Sequence, residues 1–158
     1  MKITCFQAGQ STFSAKGISR LKVTKSEGGK TSSDFLEIPI KSYDFAQQLS
    51  IERSTLLPPF IIKDGKETED RDFKNVEFMM ALREQADMQT AARIVAGLDV
   101  EFKRLDGTLV TDAKEKVQVL IGMGLTGGQF RQLLEDITAL TYASQKEASD
   151  FFSKPLPA

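Results

Sequence analysis

The chain has 158 residues, 41% of them hydrophobic and 27% charged, with 21 basic against 22 acidic side chains and a net charge of −1. It has no histidine and one cysteine, Cys5, which removes Ser–His–Asp and Cys–His nucleophiles, zinc patterns built on Cys or His, and any internal disulfide. The balanced charge lacks the electrostatic footprint that dominates nucleic-acid affinity, and no run approaches the roughly 20 apolar residues that span a bilayer.

A chain of this length hides about two-thirds of its unfolded surface, enough for one domain without disulfides. Met1–Phe6 is too short an apolar start for a signal sequence, and the single cysteine suits a reducing compartment, so a cytoplasmic location is expected. Residues 18–25 and 34–41 alternate apolar and polar side chains around Ser26–Ser33, which predicts a β-hairpin with a flexible loop. Pro39 makes the second strand an edge or ends it. Lys16, Arg20, Lys22, Lys25 and Lys30 bias this region toward positive charge, offset by Glu27. Such lysines protect a solvated hairpin edge; the competing reading is a phosphate-binding strip.

Ser42–Leu49 predicts a short helix opened by Ser42 or Asp44, and Leu56–Ile62, stiffened by Pro58 and Pro59, an extended apolar segment. Residues 63–72 form a charged turn and a candidate boundary. Their carboxylates, Asp64, Glu67, Glu69, Asp70 and Asp72, lack the order of a calcium loop. From Asp72 the period becomes helical: Phe73, Val76, Met79, Met80, Ile94, Val95 and Leu98 fall on one broad stripe, and Gly97 ends the helix. Val100–Val110, centred on Asp106-Gly107, gives the strongest hairpin signal. Thr111 or Asp112 caps a short helix to Ile121, with Glu115 placed for a capping box, and Thr126 opens a last helix. Its stripe, Phe130, Leu133, Leu134, Ile137, Leu140, Ser144, Ala148, Phe151 and Phe152, reaches Pro155.

Two motifs imitate nucleotide sites. Gly122-Met123-Gly124-Leu125-Thr126-Gly127 spells a dinucleotide fingerprint, but the residues that follow are helical in period and supply no second parallel strand. Its glycines more simply permit a reversal between two helices. Gly28-Gly29-Lys30-Thr31 resembles the end of a P-loop, yet Thr24 stands where the first glycine belongs. Glu84/Asp87 and Glu135/Asp136 read as solvated helix faces. No catalytic, cofactor-binding or metal-ligating residue is assigned.

The order of elements, with Phe35–Tyr43, Leu56–Lys66 and Leu125–Ile137, resembles the tail assembly chaperones of long-tailed bacteriophages. The resemblance implies a non-enzymatic protein of the host cytoplasm, without cofactor, that binds the tape measure and tail tube proteins during tail assembly and self-associates, with no nucleic-acid or membrane partner. It makes Met79, Met80, Met88, Phe151 and Phe152 the candidate protein-interaction residues. The alternative is a structural tail or neck component that assembles through hairpin arm 18–41, and a nucleotide-using enzyme would rest on the glycines of 122–127. The expected fold is α+β: an N-terminal β-hairpin or small antiparallel sheet (1–63, with the arm), a charged linker (64–71) and a mainly helical portion (72–158), together one compact domain.

Overall fold

In a computed structural model that describes residues 2–8 and 14–143, the first hairpin is longer than the alternation predicts. Gly28 and Gly29 both have positive φ, 56° and 78°, the backbone that a type I′ turn requires and that glycine adopts without steric cost. The turn therefore takes two residues, and β1 (Lys16–Glu27) and β2 (Lys30–Lys41) pair in unbroken antiparallel register from Glu27↔Lys30 to Lys16↔Lys41. Most of the predicted loop 26–33 is strand. Pro39 lies inside β2, and its carbonyl accepts from Asp99 N at 3.0 Å.

The fold is α+β, with two two-stranded antiparallel sheets and four helices among the described residues. The chain forms two compact units that interleave along the sequence: residues 1–44, 96–100 and 125–158 make one, residues 45–95 and 101–124 the other. The units are not sequential, because residues 127–142 pack back on the first hairpin.

In the first unit, helix α4 (Gly127–Tyr142) covers one face of the β1–β2 hairpin. Leu21, Ile40, Leu98, Leu133 and Ile137 are buried there. Polar ties fix where α4 lies along the strands: Ser19, fully buried, donates from Oγ to Asp136 Oδ2 at 2.6 Å. Tyr43 N donates to Thr141 Oγ1 at 3.3 Å, and the Tyr43 and Tyr142 hydroxyls meet at 2.9 Å. Thr126 caps the helix as predicted and forms a full capping box with Gln129. Gln129 Nε2 also donates to Lys22 O at 3.1 Å, on the outer edge of β1. Across the sheet, Lys22 opposes Phe35, whose N donates to Asp34 Oδ1 at 2.7 Å. At this pair one outward backbone group on each strand is taken by a side chain.

In the second unit, α1 (Phe45–Glu52) starts three residues after Ser42. The charged segment read as a linker is a second hairpin: β3 (Phe60–Lys63) pairs with β4 (Lys66–Arg71) across Asp64-Gly65, both at positive φ. The Arg71 guanidinium lies 3.8 Å from the Phe60 ring centroid and donates to Pro58 O at 2.9 Å. Helix α2 (Val76–Gly97) begins four residues later than Asp72, where Asn75 Oδ1 accepts from Phe78 N at 2.9 Å. The predicted 100–110 hairpin contracts to one bridge, Lys103↔Leu109. Gly107 N donates to Arg104 O at 2.9 Å, so Leu105 and Asp106 are the central turn residues and Gly107, at φ 86°, follows them as a bulge. Asp112 caps α3 (Ala113–Ile121), which makes Val117–Ile121 helix and leaves the glycine fingerprint without its strand. Ala91, Ile94, Phe102, Val110, Val117 and Leu120 form this unit's core.

The long stripe predicted along α2 holds only at its C-terminal end. Ile94 and Leu98 are buried, whereas Phe73, Val76, Met79 and Met80 are exposed. The predicted extension of α4 through Ser144, Ala148, Phe151 and Phe152 lies outside the described residues. Among the described residues no helix is long and apolar enough to cross a membrane.

Gly97 does more than end α2: a Cβ there would overlap Ile137 Cγ2 on α4. We expect Gly97→Ala to destabilise the chain by roughly 1–3 kcal/mol through overpacking, and Ile137→Ala alone by roughly 2–5 kcal/mol through the cavity it leaves. Because the second change removes the overlap, urea denaturation should show the double variant losing less than the sum of the two.

Candidate functional site

Residues three and four apart on a helix share a face. Val76, Met79 and Met80 have that spacing on the first turns of α2 and are 70%, 53% and 68% exposed. Phe73, exposed just before the helix, meets Phe78 edge-on with ring centroids 6.4 Å apart. Of the residues from Phe45 to Thr90, only Pro58 is buried, so little of the chain's own core reaches this part of the helix.

Met88 is 40% exposed and occupies a different place. It lines an open, mainly apolar groove of about 680 Å³ walled by α1, α2 and α3, together with Ile51, Ala92 and Val117. The structure therefore separates the candidate methionines: Met79 and Met80 belong to the outer stripe, Met88 to the groove. Phe151 and Phe152 lie outside the described residues.

Sequence reading missed the groove. Its one visible trace is Gln85, Gln89 and Ala92, spaced i, i+4, i+7 on α2, a stripe too polar to register as core. The rim is ordered by local bonds. Ser54 Oγ donates to Gln85 Oε1 at 2.9 Å, and Arg104 grips Glu115 through Nε at 2.7 Å and Nη2 at 2.8 Å. That pairing holds the Arg104 guanidinium further above its usual range, first through the hydrogen bond and then through the charge of Glu115. Among the described residues no group of three or more Cys, Asp or Glu side chains is placed to hold a metal ion.

The cationic hairpin residues are divided by their partners. Arg20 lies 4.5 Å from the Phe35 ring centroid and pairs with Glu37 at 3.6 Å, and Lys16 pairs with Asp99 at 3.5 Å. Lys22, Lys25 and Lys30 are exposed. This arrangement matches a solvated edge.

Asp106 shapes the loop that leads into α3. It accepts from the Thr108 hydroxyl at 2.6 Å and from Thr108 N at 2.9 Å, and these bonds hold its carboxyl below the usual range, the hydroxyl most strongly. A depressed carboxylate adds stability above its unfolded pKa and loses it as pH falls through the folded one. We therefore expect Thr108→Val to raise the Asp106 midpoint in a carboxyl NMR titration and to weaken the acid-side pH dependence of stability.

Comparison of the chain with models of protein families, with curated proteins and with solved structures finds no match.

Proposed function

We propose that the chain is a non-enzymatic, protein-binding assembly factor, a tail assembly chaperone acting in the host cytoplasm on the tape measure and tail tube proteins of a long-tailed bacteriophage. The observation that carries the reading is the open stripe Val76–Met79–Met80, continued by Phe73, on a helix whose other end is buried. Contiguous apolar surface on a folded chain marks a place where another surface docks, and methionine suits partners whose side chains vary, because its unbranched thioether repacks easily. The phage assignment rests on the sequence resemblance.

Hairpin β1–β2 favours the second reading, a structural tail or neck component. Residues 24–37 are exposed on both faces of the sheet, Phe35 and Leu36 among them, and form an arm that a neighbouring subunit could cover. The two readings differ in outcome: a chaperone leaves before the particle is complete, whereas a component stays in purified virions.

Met79→Ser/Met80→Ser should leave thermal stability nearly unchanged, within about 0.5 kcal/mol, because both side chains are already in water. It should sharply reduce recovery of co-expressed tape measure protein in the soluble fraction. Equal recovery with wild-type and variant chain would remove the stripe from the interaction.

A further inference from the structure

The groove walled by α1, α2 and α3 has a chemistry distinct from that of the outer stripe, and it lies wholly within the second unit. Three charged side chains line it: Arg53, Lys114 and Glu115. Glu115 is neutralised by the bidentate Arg104 contact. Nearby Glu52 is engaged by Arg93 at 3.8 Å. Neither Arg53 nor Lys114 has a carboxylate within ion-pair distance among the described residues. The result is an apolar floor of Ile51, Met88, Ala92 and Val117 beneath two uncompensated cations.

The walls also limit the shape of the occupant. All three are helices and their flanks, and neither β3 nor β4 contributes a lining residue. No strand edge is available to continue a backbone ladder. An extended peptide would bring unpaired N–H and C=O groups onto an apolar floor, at a cost of a few kcal/mol for each group left unsatisfied. A helix satisfies its own backbone and presents side chains alone.

We propose that this groove seats an amphipathic helix of a protein partner, apolar on the buried face and flanked by Asp or Glu that meet Arg53 and Lys114. The proposal rests on the protein-binding reading above and names the chemistry of one partner segment. The amide side chains of Gln85, Gln89 and Gln118 supply further hydrogen bonds at the rim.

The test uses the whole chain and two dye-labelled synthetic helices of about 18 residues, long enough to be partly helical in isolation. One carries a leucine face flanked by glutamates, the other the same face flanked by lysines. Fluorescence anisotropy should show the glutamate peptide binding at least about tenfold tighter than the lysine peptide. Arg53→Glu/Lys114→Glu, both exposed, should reverse that preference with an unchanged melting temperature. Met88→Asp should weaken both peptides. Equal affinity for the two peptides, or a preference that survives the charge reversal, overturns the proposal. So does binding of sodium decanoate under control of Arg53 and Lys114 without binding of the glutamate peptide, which would make the groove a site for small amphiphiles. Capture of the tape measure protein through Met79 and Met80 without peptide binding overturns the groove assignment alone. Charge-dependent peptide binding without any capture of the tape measure protein overturns the tail-assembly assignment alone.

Discussion

A two-stranded sheet cannot bury its own face, and an isolated hairpin is at best marginally stable in water. The first unit is organised around that constraint. β1 and β2 hold their register because α4 lies across the inner face, where Leu133 and Ile137 are completely buried, each worth roughly 1.5–3 kcal/mol. The absent side chain at Gly97 lets the end of α2 come close to Ile137. Ser19 shows how position along the strands is fixed: a fully buried hydroxyl must be paired, and Asp136 on α4 pairs it. Sliding the helix by one turn would break that bond and leave the hydroxyl stranded in the core.

Much of this was legible in the sequence because its signals are local. The glycine-bearing break between two alternating stretches marks a hairpin, although Ser26–Ser33 reads as a loop where only Gly28-Gly29 turn, and Thr126, or Thr111 or Asp112 before α3, marks a helix start by side-chain chemistry alone. The α+β class follows from those signals. The second hairpin was hidden because β4, Lys-Glu-Thr-Glu-Asp-Arg, has no apolar alternation. Its pairing depends on the Asp64-Gly65 turn and on Arg71 lying over Phe60, contacts that a pattern of burial does not reveal. Asp106-Gly107 misled in the opposite sense: the dipeptide is right for a two-residue turn, but here it is shifted by one position and ends in a bulge that limits the ladder.

The α2 stripe shows a different limit. Helical periodicity reports that one face is apolar, without reporting what covers it. At Ile94 and Leu98 the cover is the chain itself; at Val76, Met79 and Met80 it is not. The groove was less visible still, because its walls come from segments far apart in sequence and its floor includes Ala92, which carries little hydrophobic signal.

The two open surfaces are guarded differently, and the contrast decides what each could accept. At the Lys22–Phe35 pair Gln129 occupies the Lys22 carbonyl and Asp34 the Phe35 N–H, one outward backbone group on each strand. Lysines lie along the same arm. Both are devices that discourage another strand from adding to an edge. The exposed face of α2 has no comparable protection, since Val76, Met79 and Met80 stand together with no charged residue among them except Glu77. Edge pairing is opposed where it would be least specific, while side-chain docking onto helices is left open. An arm capped in this way is better suited to packing by its faces, where Ile18 and Phe35 are exposed, than to extending a sheet from one copy to the next.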